Sequence, residues 1–125
     1  VTEGEDDMPL LNQGSRFVID TLKSRINQVV FGFGGTIATQ EDGGAAQPAI
    51  SVIPTVRVLD DYSLSVEAKV PLSQTFSRPL KEVVLQYKNP SDVTDTTAIA
   101  RYTYDAIEKG SNNEIIFSAI IEVNV

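Results

Sequence analysis

Ile115-Ile116-Phe117-Ser118-Ala119-Ile120-Ile121-Glu122-Val123-Asn124-Val125 is the stretch whose reading decides the fold. Ile115, Phe117, Ala119, Ile121, Val123 and Val125 form one apolar row at period two. The alternate row opens with Ile116 and Ile120 and ends with Glu122 and Asn124. Successive strand residues point to opposite faces, so the pattern predicts a β-strand buried on both faces at its start and on one at its end. Such a strand needs sheet partners, and strand pairing is therefore expected to set the architecture.

Working back along the chain, partners are easy to find. Tyr62, Leu64, Val66, Ala68 and Val70 alternate with Ser63, Ser65, Glu67 and Lys69, the pattern of a half-buried strand. Asp60-Asp61 makes a turn before it, and Val56 and Val58 supply the other arm of a hairpin. Pro54 interrupts the strand-like run from Ile50 to Leu59, because proline cannot donate to a sheet ladder. Leu80 to Lys88 reads as a further strand, with Val83, Leu85 and Tyr87 in one row. Asn89-Pro90-Ser91-Asp92 is a strong turn signal, extended by Thr94 to Thr97. Ala98, Ala100, Tyr102 and Tyr104 then share one face of a strand. Turn signals at these intervals predict a mainly β fold, an antiparallel β-sandwich or partly closed barrel carrying one N-terminal α-helix.

That helix is expected at about residues 15–27, with Asn12 as the alternative start. Val18, Leu22 and Ile26 recur at i+4 with Ile19 beside them, which makes one apolar stripe fit to pack on a sheet. Asn12 and Ser15 are both acceptable caps. Residues 1–14 read as an extended acidic arm, with Glu3, Glu5, Asp6 and Asp7 ahead of Pro9. Residues 15–125 form a single β-rich domain.

Composition narrows function by exclusion. The 125 residues suit one domain with one core, and a net charge of −7 comes from 17 acidic against 10 scattered basic residues. That balance disfavours nucleic acid and anionic lipid, both of which select clustered Lys and Arg. No apolar run approaches the roughly 20 residues that span a bilayer, and the acidic N-terminal residues do not follow the signal-peptide pattern. The chain has no Cys and no His, so thiol nucleophiles, imidazole bases and Cys- or His-ligated zinc are excluded. No catalytic, metal-binding or cofactor-binding residue is expected, and the chain is read as no enzyme.

Three motifs invite a chemical reading. Gly32-Phe33-Gly34-Gly35-Thr36 follows a strand as a phosphate loop would, but no Lys-Ser/Thr pair follows it and no helical pattern starts behind it. A tight bend or a close backbone approach explains the glycines. Glu41-Asp42 and Asp60-Asp61 lie in loop and turn positions, where solvated carboxylates are expected. Tyr102 and Tyr104 resemble a stacking platform without basic companions, which suits a core or an interface. The candidate interface residues are Met8, Leu10, Leu11, Phe33, Tyr102 and Tyr104, the first three on an arm expected to dock on a neighbouring subunit.

The order of elements carries a resemblance. An N-terminal helix leads to an apolar strand ending in Phe31-Gly32-Phe33-Gly34-Gly35, and a polar loop runs from Asp42 to Pro48. Then come a Ser-Val-Glu-Ala-Lys-Val-Pro strand (Ser65 to Pro71), Leu-Lys-Glu-Val-Val-Leu-Gln-Tyr (Leu80 to Tyr87) and Ala-Ile-Ala-Arg (Ala98 to Arg101) before the last strand. This is similar to the N-terminal, tail-attaching domain of phage tail-collar fibre proteins and related small virion proteins of tailed viruses. The resemblance covers most of residues 15–125. The family usually has Glu-Leu-Gly-Leu-Tyr where this chain has Glu82-Val83-Val84-Leu85-Gln86-Tyr87. The resemblance implies a non-enzymatic virion structural protein of the tail or fibre-adaptor type, which assembles with copies of itself and other virion proteins. A capsid decoration (cement) protein and a carbohydrate- or ligand-binding β-sandwich are the alternatives.

Overall fold

The computed structural model describes residues 10–39 and 41–123. One helix, α1 (Asn12–Arg25), is followed by seven strands: β1 (Gln28–Gly32), β2 (Pro48–Val52), β3 (Thr55–Asp60), β4 (Ser63–Val70), β5 (Leu80–Asn89), β6 (Asp92–Ile107) and β7 (Ile115–Glu122). They build two antiparallel sheets, one of four strands in the order β2-β1-β5-β6 and one of three in the order β3-β4-β7. The arrangement is a sandwich and not a closed barrel.

The hairpin expected around Asp60-Asp61 is present, with Val56 opposite Val66 and Val58 opposite Leu64. Asp60 holds its turn by accepting from the Tyr62 N–H and the Ser63 hydroxyl, both at 2.8 Å. Those bonds, the Tyr62 N–H first, keep its carboxyl below the usual aspartate range. Pro54 falls in the link between β2 and β3, where the chain passes from one sheet to the other. On this side of the sandwich the two sheets are therefore covalently continuous.

The core lies between the sheets. Val29 and Phe31 of β1, Leu64, Val66, Ala68 and Val70 of β4, and Leu80, Val83 and Leu85 of β5 meet there, joined by Ile19 and Ile26 from the helix and its C-terminal edge. The helix bridges the layers, touching β3 and β4 of one sheet and β5 of the other. Arg16 reaches Asp61 at the β3–β4 turn (3.4 Å), and the Arg25 guanidinium sits 5.0 Å from the centre of the Tyr87 ring.

The helix takes the earlier of its two expected starts and ends two residues sooner than expected. It starts at Asn12, so residues 12–14 belong to it and not to the arm. Neither expected cap serves: Leu11 is the N-cap residue, without a side-chain bond, and the Asn12 side chain instead accepts from the Tyr62 hydroxyl. The helix stops at Arg25 because Ile26 turns extended and Asn27 is taken by β5. Asn27 donates to the Lys88 carbonyl (2.9 Å) and accepts from the Lys88 N–H (2.8 Å).

Two strand readings are also corrected. Strand β6 begins at Asp92 and not near Ala98, because Asn89 pairs with Asp92 and closes a tight hairpin through Pro90-Ser91. A register shift sets Ala100 beside Leu85 but Ala98 beside Gln86, so Ala98 leaves the face shared by Ala100, Tyr102 and Tyr104. Among the described residues strand β7 pairs with β4 alone. Its Ile115 is buried, Phe117, Ala119 and Ile121 are half-buried, and Ile116 and Ile120 are 55% and 65% exposed. The double burial expected at its start fails because, among the described residues, no strand and no loop covers its outer face.

This placement ranks two substitutions. Leu64→Ala, on the central strand of its sheet and fully buried, is expected to destabilise by about 2–5 kcal/mol. Phe117→Ala on the half-buried edge strand is expected to cost only about 1–2 kcal/mol. Urea denaturation of both variants checks the order, and equal losses would contradict an edge position for β7.

Candidate functional site

Among the buried residues of strand β5, Leu80 and Glu82 to Leu85, only Glu82 is charged. Leu80, Val83, Val84 and Leu85 are buried around it, and Glu82 itself has no exposed surface. A buried carboxylate survives only with a full set of donors. Glu82 has four: the N–H groups of Gly34 (2.7 Å), Ala46 (2.8 Å) and Gln47 (2.9 Å), and Nε of Arg101 (2.9 Å). Burial pushes its carboxyl up, but the bonds from Gln47, Ala46, Arg101 and Gly34 outweigh that and hold it below the ordinary glutamate value.

Arg101 lies on the neighbouring strand β6, paired with Val84, which places it on the face of Glu82. Its remaining donors reach the Thr36 carbonyl (3.0 Å), the Asp42 carboxylate (3.0 Å) and the Thr36 hydroxyl (3.3 Å). Asp42 also accepts from the Thr39 N–H at 3.0 Å, and that bond leads the influences holding its carboxyl low. Asp42 is therefore ion-paired rather than merely solvated, which corrects the sequence reading. The polar loop between β1 and β2 is tied down as a roof over β5 and β6, and Val30 and Val84 are buried beneath it.

The glycines make this approach possible. A Cβ at Gly32 would stand 2.5 Å from the Glu82 carboxylate and 2.6 Å from the Gln47 carbonyl. One at Gly34 would meet the same carboxylate at 2.5 Å and the Ala46 Cβ at 2.6 Å. Close backbone approach, and not phosphate binding, is what these glycines serve. Lys109 is a second buried charge, 1% exposed, whose ammonium donates to the carbonyls of Leu72, Gln74 and Gly110. It pins the β4–β5 connection to the turn before β7.

The side of the sandwich away from Pro54 is open. There β6 and β7 are both edge strands, and a cleft of about 560 Å³ runs between them. Its walls are Val83, Leu85, Ala100 and Tyr102 on one side and Phe117, Ala119 and Ile121 on the other. Tyr102 pairs with Val83 on the inner face of its sheet, yet it is 60% exposed because the opposing layer stops short of it. The lining is mostly apolar, with Arg101 and Ser118 as its polar members, and among the described residues no group of three or more acidic side chains is placed to hold a metal ion. Binding of an apolar surface is what such a cleft can do.

The expected interface residues are spread over the molecule. Tyr102 and Tyr104 lie together, ring centres 6.3 Å apart and nearly parallel. Tyr104 is anchored by its hydroxyl, which donates to the Glu82 carbonyl (3.3 Å), and burial, then the Glu82 charge, pushes its pKa up to about 12. Leu10 and Leu11 are exposed at the start of the helix, and Met8 lies outside the described residues. Phe33 packs edge-on against Phe76, centres 5.8 Å apart, beneath the Arg78 guanidinium. Glu82, Arg101 and Lys109 carry the arrangement without having been singled out from sequence, whereas Ile116 and Ile120 were expected to be buried. The signal for Glu82 was a lone carboxylate directly before the apolar run Val83-Val84-Leu85.

Comparison with protein-family models, curated proteins and solved structures gives no match to this chain. Among the described residues no helix is long and apolar enough to cross a membrane.

Glu82→Gln is expected to destabilise by about 3–5 kcal/mol, because it removes the charge that compensates a buried arginine. The folded Glu82 pKa lies below its unfolded value, so the stabilisation is present above the unfolded glutamate range near 4.3 and is lost as pH falls through the folded pKa. Denaturation curves between about pH 7 and pH 3 should show that loss in the parent chain and a flatter profile in Glu82→Gln. Gly34→Ala should mimic the loss at neutral pH, at about 1–3 kcal/mol.

Proposed function

We propose that this chain is a non-enzymatic virion structural protein of a tailed virus, a tail or fibre-adaptor subunit that assembles with copies of itself and with other virion proteins. The observation that carries the reading is the open side of the sandwich. An edge strand, β7, is free of charge from Ile115 to Ile121 and flanks an apolar cleft with Tyr102 on its far wall. Free edges of this kind recruit further strands or subunits unless charge or proline blunts them. The resemblance to tail-attaching domains supports the viral setting. Four of its stretches supply the Glu82 node: Gly34, then Ala46 and Gln47 with Asp42, then Glu82, then Arg101. In this reading those stretches hold the roof loop and leave the far side free for assembly. The acidic balance, −7, accords with protein partners and not nucleic acid.

The cleft itself favours one other reading, a ligand-binding β-sandwich for carbohydrate or another small molecule. Quantitative mass spectrometry of purified particles separates the possibilities. A few copies per virion are expected. Hundreds of copies would indicate a capsid decoration protein, and absence from the particle would overturn the virion role. Calorimetric binding of a saccharide by the isolated chain would favour the ligand-binding reading.

A further inference from the structure

We infer that β7 is the seam of a two-fold dimer, the free edge of one copy pairing antiparallel with the same edge of a second copy about Ser118. The inference rests on the assembly reading above and names the first partner as this chain itself.

The exposed face of β7 reads Ile116, Ser118, Ile120, the same in both directions about Ser118. A two-fold axis through Ser118 and perpendicular to the sheet sets Ile116 of each copy against Ile120 of the other, so the four most exposed apolar side chains of the two edges cover one another. On the inner face the same register sets Phe117 opposite Ala119 and Ile115 opposite Ile121, which matches large against small near the axis. Cross-strand pairs of this kind are the unit of sheet stability. The result is one six-stranded sheet, β3-β4-β7 continuing into β7-β4-β3 of the second copy.

Charge and area both fit a second copy. Each chain carries −7, so identical chains repel over most of their surfaces. From Ile115 to Ile121 β7 offers seven consecutive uncharged residues, the length over which two copies meet without opposing charges. At the two ends of the seam Glu114 comes opposite Glu122 of the other copy. Lys69, paired with Ile116 across the sheet and 3.8 Å from Glu114, stands there as the counter-charge. Eight residues of strand run about 27 Å, and two layers with their side chains are roughly 20 Å thick, giving a flat footprint of roughly 500–600 Å² before the cleft walls are counted. A stable interface takes about 800 Å² per partner, around a tenth of a small protein's surface, and this chain has 7853 Å². The cleft walls beside the seam and the exposed face of Tyr102 are the apolar surface from which the remainder would come.

The chain has no cysteine, which makes the register directly testable. In an antiparallel pair directly opposed residues have Cα atoms about 4.5–5.5 Å apart, within the disulfide range. Ser118→Cys is therefore expected to oxidise to a covalent dimer in most of the protein within the time that Ile53→Cys, an 88% exposed control, stays largely monomeric. Sedimentation of the parent chain should give twice the 13.6 kDa of one copy. Ile116→Lys with Ile120→Lys, both solvent-exposed and so compatible with folding, should return it to monomer with its circular dichroism unchanged. A parent chain still monomeric at about 100 μM, well above a micromolar Kd, would overturn the inference. So would a dimer unaffected by the lysine pair, or one that cross-links no faster at position 118 than at 53. A monomer found in virions would refute the seam alone, whereas a cross-linking dimer absent from virions would refute the virion role alone.

Discussion

Glu82 is buried near the start of β5, and each carboxylate oxygen accepts two hydrogen bonds, three in all from backbone N–H groups of one loop and one from Arg101. A carboxylate without those donors would cost several kcal/mol to keep charged in the interior, so the loop between β1 and β2 has one place to go. Its return path brings Asp42 and Thr36 onto Arg101 and so fixes β6 to β5 from above. The tight passage of backbone over the carboxylate leaves no room for a Cβ at Gly32 or Gly34. One buried charge thus decides the loop, the glycines and the position of the edge strand β6.

The consequence is an asymmetric sandwich. One face of the four-stranded sheet is packed on the core, and the other is roofed by a loop instead of a layer of secondary structure. One side is joined covalently through Ile53-Pro54, and the opposite side is left, among the described residues, with two free edges. Natural sheets protect such edges with charge, proline or a covering segment. Strand β6 carries Arg101, held inward by its ion pairs, and acidic residues toward its ends. Strand β7 carries none of these devices over seven residues. Polar investment is concentrated where the loop must be held, and apolar surface is concentrated where nothing within the described chain covers it.

That division separates two tasks that are easily confused in a small β protein. The ionic node and the Lys109 clamp are satisfied within the chain, so they hold the fold and have no remaining bonds to offer a partner. The cleft and the β7 edge are the reverse, with apolar area and backbone polar groups still to be satisfied. Assembly belongs to the second set. The aromatic pair spans both: Tyr104 is anchored to the Glu82 carbonyl while Tyr102, two residues away, looks into the open cleft.

Period-two alternation was enough to place the β3–β4 hairpin, β5 and β7 from sequence, and period 3.6 was enough to place the helix, because those patterns are set by backbone geometry within a few residues. The glycines were legible as a close approach for the same local reason. What the sequence could not determine is which strands lie at an edge, since strand order depends on pairings between residues far apart in the chain. Ile116 and Ile120 therefore read as core and proved exposed. The partners of Glu82 were hidden likewise: Gly34, Ala46, Gln47 and Arg101 are up to 48 residues from it, and only the folded sheet brings their donors to one carboxylate. Local chemistry chose the elements, and the tertiary structure alone chose where the surface would be left open.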